Sequence, residues 1–394
     1  MRGLSLRQAR VFLAVANLHS LTAAAQRCHV SQPAVSQALA KLERQAGGAL
    51  FDRTGQGLFP TERGRTLAGR LHRAMARLDG ALAAVGPRLC VTATVAQLRA
   101  LIAVAEAQNF TLAARALGLA QPTVHRAVSH LEQEAGRPLF EKTAFGFVPL
   151  RACTDLAQAA RLAFSEFAQI EADLAEVDGR VAGTIVVGAL PLSRSVVLPE
   201  ALARFRAERR DQGITVLDGP YDDMLAGLRR GDIDLMIGAL RDPVPIADVV
   251  QEVLFEDGLT FLARPGHPFA GRSGITPRML RAQAWVVPRR GTPARAQFDA
   301  FFGPRPEDAP DSLIDCGSIL LMRELLRRST MLGCISRSQA AAEIASGQLV
   351  ALAPDVGAQR RPIGLTRRRD WVLTAAQARL MVLIREAARA QAAL

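Results

Sequence analysis

Val30-Ser31-Gln32-Pro33-Ala34-Val35-Ser36-Gln37 is the stretch whose reading decides the fold. Ser31 is a good helix N-cap, and Pro33 falls just inside the start, where a missing N–H costs little. From Pro33 to about Gln45, Val35, Leu39 and Leu42 recur on one helical face. Working backward, Val11, Phe12 and Val15 mark a helix to about Asn17, and Ser20 precedes a second, Thr22 to Arg27, packed through its alanines. Cys28-His29-Val30 is the turn between them and the third helix. Two short helices across a tight turn, the later one opening on small polar residues, predict a helix-turn-helix. Working forward, Leu50 to Pro60 with Gly55 and Gly57 reads as a short hairpin, a wing.

The same pattern returns 89 residues on. Leu13-Ala14-Val15-Ala16 lies over Ile102-Ala103-Val104-Ala105, Val30-Ser31-Gln32-Pro33-Ala34-Val35 over Leu119-Ala120-Gln121-Pro122-Thr123-Val124, and Leu42-Glu43 over Leu131-Glu132. Leu50-Phe51 matches Leu139-Phe140, Arg53-Thr54 matches Lys142-Thr143, and Pro60 matches Pro149. An offset that never changes means one folded unit was duplicated.

Helices alone leave a small ligand-free helical domain open as a reading. The outward residues argue for more. Ser31, Gln32, Ala34, Ser36 and Gln37 are short or hydrogen-bonding and can approach base edges, and Gln pairs bidentately with adenine. Arg53 and Arg63 sit where a wing and the next helix start would meet phosphates. Charge agrees: of the net +12, residues 1–90 hold 13 basic and 4 acidic side chains, residues 91–183 hold 8 and 10, and residues 184–394 hold 28 and 23. A basic first quarter invites a polyanion.

Ser31-Gln32-Pro33-Ala34-Val35-Ser36, Leu42-Glu43, Gly47, Leu50-Phe51-Asp52-Arg53 and Pro60-Thr61-Glu62-Arg63-Gly64 together resemble the winged helix-turn-helix of LysR-type transcriptional regulators, over residues 4–86. The resemblance implies that Ser31, Gln32, Pro33, Ala34, Ser36 and Arg53 lie at the DNA surface and Thr22 near the backbone. The second copy departs from the pattern. Ala120 replaces the capping serine, Thr123 and His125 replace Ala and Ser, and Leu150-Arg151-Ala152-Cys153 lacks the Thr and Gly of the wing exit. Gln121, Thr123, His125, Arg126 and Lys142 are its candidate contacts, with weaker DNA affinity expected.

A long amphipathic helix follows each wing. The first, about Glu62 to Val85, spaces Leu67, Leu71, Ala74, Leu78, Ala81 and Val85 by alternating fours and threes; the second does so with Leu156, Ala160, Ala163, Phe167, Ile170, Leu174 and Val177. That repeat is a coiled-coil seam, with a core helix against a globular domain as the alternative. A 24-residue helix spans ~36 Å, and the connector from Gly86 to Ala93 reaches at most ~29 Å. If the helices pair antiparallel, that is enough to tether the second winged unit at the far end, and residues 1–180 form a covalent pseudo-dimer. The ~34–36 Å half-site separation of helix-turn-helix dimers fits such a particle. A second copy serving only as a dimerisation scaffold stays open.

From Gly183 the pattern changes to strands alternating with helices: strands at 184–189, 214–217, 234–238 and 259–263, then 285–287, 312–315, 331–335 and 349–350. Crossovers are expected near 263–275 and 350–365, with a cleft at strand carboxyl ends. This half resembles the LysR-type effector domain, itself similar to periplasmic solute-binding proteins. Gly231-Asp232-Ile233-Asp234-Leu235, Ala263-Arg264-Pro265-Gly266-His267-Pro268 and Gly347-Gln348-Leu349 carry the resemblance. Trp285 to Arg295 and Arg361-Pro362-Ile363-Gly364-Leu365-Thr366 are similar to the branch with the galactose-binding-protein and protocatechuate-pathway regulators, which implies a sugar or an aromatic-catabolite acid as inducer. Ser193, Ser195, Tyr221, Thr292, Arg295 and Ser318 are the expected cleft residues, with Arg295 as carboxylate clamp. Trp285, Phe298 and His267 read as structural.

The expected fold class is α+β, multidomain: two tandem winged helix-turn-helix domains with linker helices, then a two-subdomain α/β effector domain. Boundaries are expected at 1–62 and 63–86, a connector at 87–93, then 94–150, 151–180 and 184–394. The last divides into subdomain I, about 184–263 and 365–394, and subdomain II, about 275–350. No P-loop, nucleotide-binding glycine fingerprint, H-E-x-x-H or G-x-S-x-G occurs, and six histidines do not cluster, so no enzyme, cofactor or metal is expected. No apolar run approaches a membrane span, and five scattered cysteines suggest reduced thiols in the cytoplasm. Promoter DNA, a small-molecule effector and a homo-oligomeric state are the expected partners, with RNA polymerase a further one. A thiol sensor at Cys316, in a polar loop, is the alternative function.

Overall fold

The computed structural model describes residues 3–144, 146–244, 246–303, 305, 308–353 and 360–392. Two compact units make up the chain, Met1–Gly183 and Thr184–Leu394.

In the first unit, α1 (Leu6–Leu18) opens on a Ser5/Gln8 capping box, α2 (Leu21–Arg27) on Ser20, and α3 (Gln32–Ala46) on Ser31. Gly47, at φ 78°, ends α3 in the left-handed conformation that glycine adopts without strain. The wing is β1 (Phe51–Thr54) antiparallel to β2 (Gly57–Pro60). The linker helix α4 (Glu62–Val85) and a single turn, α5 (Leu89–Thr92), follow. The order then repeats as α6 (Val95–Ala107), α7 (Phe110–Leu117), α8 (Gln121–Ala135), β3 (Phe140–Thr143), β4 (Gly146–Pro149) and α9 (Arg151–Val177).

The repetition extends to single atoms. Gly57, at φ 134°, and Gly146, at φ 132°, each lean on a carbonyl: an added Cβ would lie 2.5 Å from His19 O and 2.6 Å from Gln108 O. The next N–H in each copy, on Leu58 or Phe147, donates to that same carbonyl at 2.9 and 3.0 Å. Glu43 accepts from the Leu50 N–H at 3.0 Å, and Glu132 from the Leu139 N–H at 2.8 Å, so each Leu-Glu pair ties its third helix to its wing.

α4 and α9 pair antiparallel within the chain. Contacts run from Arg63 with Asp178, through Arg70 with Asp173 at 2.6 Å and with Glu166 at 3.0 Å, to Arg73 with Glu166 at 3.4 Å. Each far end abuts the other copy. Arg63 bridges Asp178 to Ala46 O at the end of α3, while Arg137 beyond α8 donates to Ala84 O at 3.2 Å. Two details differ from the expected seam. Leu82 is buried instead of Ala81 as the innermost residue of that turn, and Val177 is exposed, with Ala175 buried beside the expected Leu174. A straight helix drifts relative to a 3.5 repeat, so a seam drawn at that spacing rotates away by the helix end. The connector also carries α5, whose Leu89 is fully buried.

The second unit contains β5 (Thr184–Ala189), a 3-10 turn (Pro191–Arg194), α10 (Val197–Glu208), β6 (Gly213–Leu217), α11 (Tyr221–Arg230), β7 (Leu235–Ala239) and β8 (Val249–Ala263). There follow α12 (Pro277–Arg281), β9 (Trp285–Val287), α13 (Pro293–Phe302), β10 (Leu313–Asp315), α14 (Ile319–Arg328), β11 (Leu332–Ser336), α15 (Arg337–Ala345), β12 (Val350–Leu352), β13 (Arg360–Arg368) and α16 (Ala375–Ala392). Among the described residues the strands run β10-β9-β11-β8-β13-β7-β5-β6, with β12 on β8. β5, β6 and β7 pair parallel, as do β9, β10 and β11.

The crossover is earlier than the sequence suggested. Residues 249–258 of β8 pair with β13, and the same strand continues so that Phe261 faces Cys334 on β11 and Leu352 on β12. Leu259 to Ala263 therefore belongs to the second subdomain, and 263–275 is not the crossing. A strand that changes neighbours midway carries no break in its own sequence. The other expected crossing, 350–365, falls partly on 354–359, outside the described residues; β13 starts at Arg360 and pairs with β7 in the first subdomain. Phe205, Leu380 and Ile384 centre one core, and Trp285, Phe298 and Phe261 another.

Candidate nucleic-acid interface and effector cleft

In the first copy, Val35, Leu39 and Leu42 turn α3 inward and leave its amino end outside. The Ser31 hydroxyl accepts from the Ala34 N–H at 3.4 Å, capping the helix while its side chain stays exposed. Thr22, Gln32, Pro33, Gln37 and Arg53 are exposed, and Ala34 and Ser36 half-buried. Arg53 makes no ion pair among the described residues. Arg63 departs from expectation. Its guanidinium donates to Ala46 O at 2.7 Å and to Asp178, and only 13% of its side chain is exposed. It is an internal tie; reaching a phosphate would break the α3–α9 junction. Asp178, in turn, is held below the usual carboxylate range by hydrogen bonds from Arg63 and Arg180.

In the second copy Gln121, Thr123, His125, Arg126 and Lys142 are all exposed. Ala120 supplies no side-chain cap, leaving the first N–H groups of α8 without the partner that Ser31 gives α3. His125 packs its ring 5.1 Å from that of Phe110. Arg126 Nε bends back to Pro122 O at 3.4 Å.

The second unit holds a cavity of about 810 Å³, lined on one side by Leu240, Arg241 and Asp242 and on the other by Arg290, Thr292, Arg295 and their neighbours. Of the expected cleft residues the structure brings Thr292 and Arg295 to this cavity. Thr292 caps α13, accepting from the Arg295 N–H at 3.2 Å. Arg295 is not a free clamp. It is 4% exposed and bound by Asp299 at 2.7 Å and Asp315 at 2.5 Å. Burial pulls its pKa down, but those two carboxylates outweigh it, so the guanidinium stays charged and its charge is balanced where it stands. Ser193 is also turned away, buried, with its hydroxyl donated to Leu190 O at 2.8 Å. Ser195 is half-buried at the end of the 3-10 turn, two residues before α10 begins, because Val196 is not helical. Ser318 is exposed and caps α14, accepting from the Leu321 N–H at 3.3 Å. Tyr221 begins α11, and Arg241 lies over its ring, 4.4 Å from the centroid.

Cys316 does not have the accessible setting a sensor needs. It is buried, its Sγ accepting from the Ser318 N–H at 3.3 Å, and burial raises the Cys334 thiol well above the ordinary thiol range. His267 is structural: Nδ1 accepts from the Phe269 N–H at 3.0 Å, so Nε2 carries the proton toward Thr330 O at 3.2 Å. Among the described residues no group of three or more His, Cys, Asp or Glu could hold a metal, and no helix is long and apolar enough to cross a membrane.

Helix-turn-helix units with wings, joined in one chain to a two-subdomain α/β cleft, define a DNA-binding protein that answers to a small molecule. The model of the bacterial regulatory helix-turn-helix protein, lysR family, matches residues 6–65 and again 95–153, and that of the LysR substrate binding domain matches 178–389. The chain belongs to the LysR family of DNA-binding transcriptional regulators, which are not enzymes. HTH-type transcriptional regulator GalR of Pseudomonas putida KT2440 is 35% identical over 391 residues, 98% of each chain. HTH-type transcriptional regulator PcaQ of Agrobacterium fabrum is 28% identical over 291 residues, 74% of this chain but 94% of its own. GalR thus matches the whole length, whereas PcaQ leaves about a quarter of this chain unmatched. ArgP of Mycobacterium tuberculosis shares the fold, with a TM-score of 0.55 at 21% identity over 74% of this chain and 96% of its own. LysG of Corynebacterium glutamicum, solved with bound effector Arg, has a TM-score of 0.51 at 23% identity over 75% and 97%.

Proposed function

We propose that one chain of this regulator does what a pair of subunits otherwise does: its two winged units read the two halves of an asymmetric promoter site, and an effector in the C-terminal cleft alters that grip. Thr22, Ser31, Gln32, Pro33, Ala34, Ser36, Gln37 and Arg53 make the strong half, and Gln121, Thr123, His125, Arg126 and Lys142 the weak half. Arg63 holds the particle together from within. The protein works in the cytoplasm, and further association of such chains builds larger assemblies.

The observation that carries this reading is the pairing of α4 with α9. α4 holds five arginines against two acids, and α9 five acids against two arginines. At their centre Arg70, 1% exposed, is gripped by Glu166 and Asp173. The position 89 residues beyond Arg70 is Ala159, so this network has no repeat on the other side. Two α4 helices together would crowd ten arginines, and two α9 helices ten acids. Charge therefore selects the mixed pair, which one chain supplies by itself.

The test is a footprint with counted stoichiometry on a promoter fragment the protein retains at physiological salt. One chain should protect two unlike half-sites, one sensitive to substitutions in α3 and the other to substitutions in α8. Two equivalent half-sites, each requiring α3 from a different chain, would overturn the reading. Failure to prefer any genomic fragment over random duplex would remove it altogether.

A further inference from the structure

We propose that the cleft takes a carboxylate-bearing effector, gripped by Arg241 and drawn in by the uncompensated charge of Arg361 beside it. The proposal rests on, and sharpens, the reading of the second unit as an effector domain.

The cavity walls carry Arg241, Arg290, Arg295 and Arg305 against Asp242 and Asp299. Arg295 is bound twice, by Asp299 and by Asp315. That leaves three wall arginines facing one wall aspartate, so the space between them is electropositive. Arg241 is also ready for a ligand. The Tyr221 ring lies beneath its guanidinium, 4.4 Å from the centroid, and no ion pair involves Arg241 among the described residues. A planar guanidinium held in this way matches a carboxylate with two parallel hydrogen bonds.

Arg361 adds a second, unusual charge. Leu240 donates its N–H to Pro362 O at 3.0 Å, and Ala239 faces Ile363 in the β7–β13 register. Extending that antiparallel register by two residues sets Arg361 across from Arg241. On its other side Arg361 pairs in register with Asp257 of β8. That carboxylate is occupied elsewhere: it accepts from the Ser336 hydroxyl, from the Ser338 N–H at 3.4 Å and from the Gly258 N–H at 3.0 Å. Nε and Nη1 of Arg361 are buried and, among the described residues, have no hydrogen-bond partner. Burial lowers its pKa, with Asp257 pulling the other way and Arg241 adding to the fall. A buried cation left this way is costly, and an anion nearby relieves it. Of the two inducer classes the sequence left open, a sugar and a small organic acid, only the acid supplies that charge.

The experiment uses the full chain and follows its melting temperature with succinate and benzoate, set against succinamide, benzamide and galactose. At about 10 mM the acids should raise the melting temperature and the uncharged compounds should not. Arg241→Gln and Arg361→Met should each weaken acid binding by ~10-fold or more, the loss expected for a charge-assisted contact. Without ligand, Arg361→Met should melt no lower than the parent, because burial of Nε and Nη1 without hydrogen bonds costs at least as much as the attraction of Asp257 returns. An arginine with a structural task would lower it. Equal stabilisation by the amides or by galactose overturns the carboxylate assignment while leaving the effector cleft intact. No stabilisation by either acid, or undiminished acid binding in Arg241→Gln, overturns it as well.

Discussion

Residues 6–60 and 95–149 fold alike down to the carbonyl each wing glycine leans on, yet they carry different surfaces. Most shared features are internal: Glu43 and Glu132 on their wings, Gly57 and Gly146 against the preceding turn, the aliphatic rows of α3 and α8; the exposed Gln-Pro pair that opens α3 and α8 is the exception. The differences lie outside or at helix starts. Ser31 caps α3 while Ala120 leaves α8 uncapped; Thr61 caps α4 while Leu150 leaves α9 uncapped; Ser36 is replaced by His125, packed on Phe110. Packing constrains a duplicate; a surface facing a ligand is free to diverge. Charge has to be located with the same care. Residues 94–150 hold five basic and four acidic side chains, so the deficit of the second quarter lies in α9, where α4 answers it. The second winged unit is nearly neutral rather than acidic, against seven basic and two acidic residues in 1–61.

The strongest way to break the comparison is at the pairing that holds the copies together. Arg70→Met leaves Asp173 without its cation and Glu166 with only the longer contact to Arg73, and should cost about 3–5 kcal/mol of the first unit's stability, read by urea unfolding. Replacing Arg70, Glu166 and Asp173 together by leucine should restore most of that loss, while sedimentation detects chains associating through mismatched linker helices. Retention of a single species by the triple variant would remove charge as the selector.

The next effect separates a reader from a scaffold. Gln32→Ala should weaken operator binding by about 1–3 kcal/mol, the worth of a good base contact. Gln121→Ala should cost less but remain measurable, and Lys142→Ala should reduce the salt slope by about one, as loss of one phosphate contact does. If both second-copy variants bind as the parent does, that copy is a scaffold only. The smallest effect concerns the caps. Ala120→Ser should stabilise the second copy by about 1 kcal/mol, and Ser31→Ala should weaken the first by a similar amount, each followed by hydrogen exchange in the helix concerned.

The first unit was largely legible in its sequence because its signals are local: a cap, a proline at the helix start, a fixed offset between copies. Arg63 misled for the opposite reason. At a helix start beside a wing it resembles a phosphate contact, and only the return of α9, more than a hundred residues later, reveals its partner Asp178. Arg295, on α13, misled in the same way, since the second aspartate that balances its charge, Asp315, lies on the strand β10. The long strand β8 was half missed because its two stretches answer to different neighbours. Arg241 was findable: it follows the carboxyl end of β7, the place where such folds bind ligands. The importance of Arg361 was not, because an arginine without a partner looks in sequence like any other.

The eight residues from Gly86 to Ala93 carry a consequence for behaviour on dilution. Two separate polypeptides must find one another before their linker helices join, so the joined fraction falls as the protein becomes scarce. Here α4 and α9 share one backbone, and their encounter proceeds at a local concentration in the millimolar range set by the tether, whatever the number of molecules in the cell. A handful of copies then has its linker helices as fully paired as a thousand, and expression level acts only on the association of one chain with another.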